Sequence, residues 1–147
     1  MANAHPPEAF DALEHVQKVW TGMRDRSPIY QMLLSDVEIF SAAKPGSITA
    51  RLTVGAVHLN SKGTLHGTVS ACLTDWAGGL AIAATGLGKS GVSTDIHISF
   101  VSTAREGDIL EVNAQLVARW RSRRWRSKSW ERTGHRVLYL QDHIQNM

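Results

Sequence analysis

The amino-acid sequence predicts an α+β domain in which an antiparallel β-sheet wraps around one long central helix. Three observations point there. Thr68 to Gly88 is a run rich in Ala, Leu, Ile and Gly whose only formally charged residue is Asp75, and a helix that is apolar all round must be covered all round. Before it stand two β-like segments, Val37–Ala42 and Ile48–Val54, joined by the turn signature Lys44-Pro45-Gly46, which makes them a hairpin. After it stand Val92–Phe100 and Ile109–Ala118, which alternate with the two-residue period of half-buried strands.

The remaining elements follow in order. Glu8–Arg24, after Pro6 and Pro7, carries Phe10, Leu13, Val16, Val19, Trp20 and Met23 at roughly helical spacing with acids early, the pattern of an amphipathic helix. Ser27-Pro28 opens a shorter helical piece running to Leu34. Gly55 to Gly63 leads into the central helix, placed at His66 to Thr85 and ended by Gly86-Leu87-Gly88-Lys89. Val92, Ile96, Ile98 and Phe100 face one way, with Thr94 in phase. His58 and His97 read as strand-surface residues. Ala104–Asp108 is a turn, and Leu110, Val112, Ala114, Leu116 and Ala118 line one face of the last clear strand. The division is an N-terminal helical segment over 1–34, a domain over 35–118 and an atypical tail over 119–147.

A chain of 147 residues, 43% apolar and 20% charged, is one soluble domain with a sizeable core. Its single cysteine, Cys72, excludes an intrachain disulfide and fits a reducing compartment. Met1 to Phe10 has no apolar run and does not read as a secretory leader. The expected location is the cytoplasm, with the mitochondrion as the second choice. Four glycines (78, 79, 86, 88), several threonines and Asp75 argue against a membrane span at Thr68–Gly88. The net charge of +3 belongs to the tail: residues 1–117 hold eight basic and eleven acidic side chains, a net of −3, while eight basic residues crowd Arg119 to Arg136.

The chemistry sits at the start of the central helix. His66-Gly67 occupies its N-terminus, where unpaired N–H groups and a partial positive charge suit a carbonyl oxygen that gains negative charge. Gly67 lets a substrate approach the backbone closely. Asp75, two turns on, is a carboxylate that is costly to bury unless something compensates or uses it, and is placed to act as general base or nucleophile. Asn60, six residues before His66, would orient a water or a substrate carbonyl. Each has a plainer reading: Asp75 as a partner of Ser93 or Thr94, His66 as a structural N-terminal residue, the glycines as packing positions, Trp76 as core and Cys72 as a small buried residue. No metal-ligand spacing surrounds His97.

The run Asn60-Ser61-Lys62-Gly63-Thr64-Leu65-His66-Gly67, followed by Asp75 and by Gly91-Val92-Ser93-Thr94-Asp95-Ile96, resembles the hotdog-fold acyl-CoA thioesterases of the PaaI-like, thioesterase superfamily member 2 type. The resemblance covers about Leu34 to Ala118. It implies a hotdog fold, homodimers or homotetramers with active sites between subunits, and hydrolysis of an acyl thioester of coenzyme A or of an acyl carrier protein. It makes Asp75 the catalytic carboxylate, activating water or attacking directly. Gly67 becomes the backbone N–H donor to the thioester carbonyl, Asn60 the asparagine near water and leaving group, His66 a supporting histidine, and Ser93 a positioner of water. It implies no metal and no redox cofactor. A catalytically weak hotdog protein that binds acyl thioesters or serves as an assembly partner is the alternative, and a dehydratase acting on hydroxyacyl thioesters ranks below both.

From Arg119 the pattern departs from that family. Arg119-Trp120-Arg121-Ser122-Arg123-Arg124-Trp125-Arg126-Ser127-Lys128-Ser129-Trp130 has no apolar face at period 2 or 3.6. Only Val137-Leu138-Tyr139-Leu140 resembles a strand. Three readings stand: nucleic-acid binding through phosphates and stacking, which ranks lowest; a grip on coenzyme A phosphates or an acidic carrier surface; and family strands lost through an altered reading frame, which ranks first.

Overall fold

The structure is a computed structural model whose described residues are 10–93, 95–119 and 135–145, with 117–119 and 135–145 described as backbone only. The elements in chain order are α1 (Ala12–Arg24), α2 (Pro28–Leu33), β1 (Glu38–Ala43), β2 (Ser47–Thr53), a 3-10 turn (Ala56–His58), α3 (Gly67–Ala83), β3 (Ile109–Arg119) and β4 (His135–Gln145). The four strands form one antiparallel sheet in the order β1-β2-β3-β4. This is the hotdog arrangement, α+β, with α3 as the helix inside the sheet's curve.

Local chemistry sets each boundary. The Asp11 carboxylate accepts from the N–H groups of Leu13 and Glu14 at 2.9 and 3.1 Å and starts α1. Pro28 occupies the first turn of α2, where its missing N–H costs nothing. In β2 the residues Ile48, Ala50 and Leu52 point inward, in step with Leu110, Val112 and Ala114 of β3. Against this floor α3 packs Val69, Leu73, Trp76, Ala77, Leu80 and Ala81. α1 closes one flank with Val16 and Trp20, whose indole meets Trp76 edge-on at 5.4 Å.

The covering of α3 is incomplete. A narrow stripe through Thr68, Cys72, Asp75 and Gly79 keeps contact with solvent. These positions recur every three or four residues and so lie on one face. The expected all-round enclosure therefore gives way to enclosure on every side but the one carrying Asp75.

Two expectations about strands are corrected. Val92–Phe100 forms no ladder among the described residues; Val92 is 92% exposed and Phe100 65%. Its alternation is genuine, but an extended segment becomes a strand only when another strand satisfies its backbone groups. Conversely, the short strand expected around Val137–Leu140 is an eleven-residue strand paired along β3 from Arg119↔His135 to Ile109↔Gln145. Its partner β3 supplies the ladder that its own pattern does not announce. The Arg/Trp run after Arg119 lies outside the described residues, as does Thr94.

The hairpin turn is wedged into the core. Gly46 has φ +147°, and a methyl there would stand 2.8 Å from the Ala81 carbonyl oxygen and 2.9 Å from Leu116 Cβ. Neither backbone nor packed side chain can yield cheaply. Gly46→Ala is expected to destabilise the fold by about 2 kcal/mol or more, read from the midpoint of urea unfolding. Among the described residues no helix is long and apolar enough to cross a membrane.

Candidate active site

The loop before α3 is built around Asn60. Its Oδ1 accepts from the N–H groups of Lys62 and Thr64 at 2.9 and 3.2 Å, and its Nδ2 donates to Thr64 Oγ1 at 2.9 Å. Gly63, with φ +71°, lets the loop turn back so that Leu59 and Leu65 form a bridge. The side chain predicted to orient substrate therefore first shapes its own loop. One Nδ2 hydrogen stays available.

His66 is the N-cap of α3. Its Nδ1 accepts from the Thr68 N–H at 3.1 Å, so the ring is neutral at that nitrogen and Nε2 carries the proton outward. Gly67 follows as the first helical residue, and no group among the described residues accepts from its N–H. That is the free donor a helix N-terminus provides. The Phe100 ring lies over Gly67, its edge 3.5 Å from where a Cβ would be, so a side chain there would meet that ring.

This end of the helix is held by a histidine expected on a strand surface. His58 is instead buried in the 3-10 turn. Its Nδ1 accepts from the Gly55 N–H at 2.9 Å, which leaves Nε2–H to donate to the Leu33 carbonyl at 2.8 Å. Its own carbonyl accepts from the His66 N–H at 2.8 Å. One buried ring thus ties α2 to the 3-10 turn, and the turn to the N-cap. His97 is exposed as expected, but on irregular chain.

Asp75 lies two turns along. It is half-buried and accepts a hydrogen bond from the Ser93 hydroxyl. Its negative charge reaches two further groups. Burial first, then Asp75, push the Cys72 thiol up from its ordinary value. Burial, then Asp75, then Cys72 do the same to the Tyr30 phenol. Tyr30, on α2, stacks edge-on against Trp20 at 5.5 Å. Nothing in the sequence marked it as a neighbour of Asp75, because the two are 45 residues apart and only packing joins them. Trp76 takes its plainer reading and is wholly buried core.

Removing the Asp75 charge should relax Cys72. The sole thiol of the chain is expected to react severalfold faster with iodoacetamide at pH 8 in Asp75→Asn than in the wild type, because a lower thiol pKa gives more thiolate at fixed pH. Mass spectrometry of timed samples reads it directly.

Two clusters result: Asn60, His66 and Gly67 at the helix start, Asp75 and Ser93 in its middle. Eight residues of helix separate Gly67 from Asp75, about 12 Å along the axis. A carbonyl held by the Gly67 N–H cannot be attacked by water resting on Asp75 of the same chain.

The fold is that of the thioesterase superfamily. The profile of the thioesterase superfamily matches residues 62–123. Human acyl-coenzyme A thioesterase 13 is 32% identical over 106 residues, 72% of each chain. An esterase of Schizosaccharomyces pombe is 38% identical over 91 residues, 62% of this chain and 56% of its own length, so the chain spans little more than half of that relative. The crystal structure of zebrafish thioesterase superfamily member 2 superimposes with a TM-score of 0.66 at 36% identity, over 74% of this chain and 78% of that one. The chain belongs to the thioesterase superfamily, a superfamily of thioester hydrolases.

Proposed function

We propose that the protein hydrolyses acyl thioesters of coenzyme A, or of an acyl carrier protein, with Asp75 as general base. The observation that carries this is the Asp75–Ser93 pair on the one uncovered face of α3, in a chain whose Gly67 N–H is free at the helix start. Asp75 takes a proton from water while the oxygen adds to the thioester carbonyl carbon. The Gly67 N–H and the helix N-terminus hold the oxyanion. The C–S bond breaks, the thiolate recovers the proton from Asp75, and a carboxylic acid and a free thiol leave. Ser93 holds Asp75 in place and helps position the water. His66 and the free Asn60 N–H orient carbonyl and leaving group. The electrophile is already activated, so the reaction calls for no metal and no redox cofactor.

The roughly 12 Å between the clusters leads to a homo-oligomeric enzyme, a homodimer or homotetramer, in which Asp75 and Ser93 of one copy face Asn60, His66 and Gly67 of another. A two-fold arrangement makes two equal sites per pair. The cytoplasm, a reducing compartment, suits the partly accessible Cys72. The test is free-thiol release from a panel of acyl-CoA thioesters and an acyl carrier protein thioester, alongside the oligomeric state by light scattering. Release by the oligomer supports the reading and ranks the acyl groups. A folded, soluble oligomer that releases no thiol from any of them overturns it.

A further inference from the structure

A groove of about 610 Å³ runs between α1 and the loop that follows α3. Lys18 of α1 and Arg26, two residues beyond its end, stand on one wall and Lys89 on the other, beside the apolar Val19 and Met23. Residues 1–117 carry a net charge of −3, so these cations are gathered against the trend of the domain. None of the three has a carboxylate within 4.0 Å among the described residues.

The groove is built rather than incidental. His15, in its wall, donates through Nε2 to the Leu87 carbonyl at 2.9 Å and pins the loop to α1. Arg26 donates through Nε to the Gly22 carbonyl at 2.8 Å, which fixes the stem and leaves the outer guanidinium nitrogens to the groove. Ser90 packs so closely on Gly79 of α3 that a methyl at Gly79 would stand 2.9 Å from Ser90 Cβ. Gly91, with φ +76°, then turns the chain toward Val92 and Ser93. Val92 lines the groove and Ser93 bonds Asp75, so the groove opens one residue from the reacting centre. From Lys89 to Ser93 the chain reaches at most about 14 Å.

We propose that this groove receives the phosphates of the coenzyme A leaving group, with the adenosine beside its apolar residues. The proposal rests on the acyl thioester reading given above and adds to it where the nucleotide is held. Lys18, Arg26 and Lys89 pair with phosphate oxygens. The pantetheine arm runs along the Lys89–Ser93 segment and delivers the thioester to Asp75.

Lys18 and Lys89 are exposed, so the double variant Lys18→Gln/Lys89→Gln keeps the fold. Two measurements test the proposal. Calorimetry with adenosine 3′,5′-bisphosphate should show binding to the wild type that weakens with salt, and binding at least about tenfold weaker in the variant. Kinetics should show KM for the preferred acyl-CoA raised by at least about tenfold with kcat unchanged, while the N-acetylcysteamine thioester of the same acyl group is hydrolysed equally by both proteins. Absence of nucleotide binding by the wild type overturns the proposal, as does equal binding by the variant. Equal losses on the two thioesters overturn it as well, since the short one has no phosphate. A larger loss on an acyl carrier protein thioester than on acyl-CoA would assign the cations to an acidic protein surface instead. Nucleotide binding with hydrolysis of neither thioester would sink the thioesterase reading and leave the phosphate site standing.

Discussion

Asp75→Asn is expected to lower kcat for thiol release by about a thousandfold while leaving KM within about twofold. The substitution keeps size and shape. It also keeps an oxygen that accepts from the Ser93 hydroxyl, so the Ser93 segment stays where it is. Asp75 is half-buried and has no ion-pair partner among the described residues, so its charge holds nothing together and the fold should be unaffected. What goes is the ability to take a proton from water, a contribution of about 4 kcal/mol to the barrier on the thousandfold scale. Stopped-flow thiol detection with acyl-CoA measures it. A loss smaller than about tenfold would remove Asp75 from the role of base. Ser93→Ala belongs beside it as a control, since losing a positioning hydroxyl should cost far less than losing the base.

The second large effect is a recovery. Asp75→Asn and Asn60→Ala should each be nearly inactive alone, yet a mixture unfolded and refolded together should regain about a quarter of wild-type activity. Random pairing makes half of the dimers mixed, and in each mixed dimer one site collects both lesions while the other is intact. Gly67 and Asp75 stand on one α3, about 12 Å apart along its axis, so the proposed site needs a second chain. The same logic pairs Asn60, which closes the loop before Gly67, with the Asp75 of that second chain. Recovery is read by thiol release from the mixture, and mixed dimers isolated with distinguishable tags should carry about half of wild-type activity. A mixture that stays as inactive as its parents would place each site within one chain, and the helix would then have to bend or break to allow it.

Most of the fold was legible because its signals are local. The hairpin announced itself through Lys44-Pro45-Gly46, the central helix through a long apolar run, and β3 through clean alternation. The positions of the candidate site residues were legible where residue type and place coincide, as at the helix-start His66-Gly67 and the lone Asp75 on the open face of α3. The misreadings share one cause. Whether Val92–Phe100 becomes a strand depends on a neighbour, and so does the length of β4, whose own alternation is poor but whose partner β3 is eleven residues long. His58 looked like a surface residue because nothing nearby in sequence reveals that the Leu33 carbonyl and the Gly55 N–H converge on its ring. Tyr30 joined the surroundings of Asp75 through a chain of aromatic contacts, Tyr30 to Trp20 to Trp76, that no motif encodes.

The unladdered segment around Ser93 also bears on the life of the chain before assembly. Val92, Phe100 and Val101 lie open to water beside backbone groups that no strand satisfies among the described residues. If the protein pairs as proposed, a newly made copy presents an adhesive edge until another copy meets it. Meeting the right partner is second order in concentration, and so is sticking to a wrong one. Chaperones that shield this stretch would favour productive pairing, and scarcity of the protein would prolong its exposure to proteases. Ser93, the hydrogen-bond partner of Asp75, is thus carried on one of the most exposed stretches of the described chain.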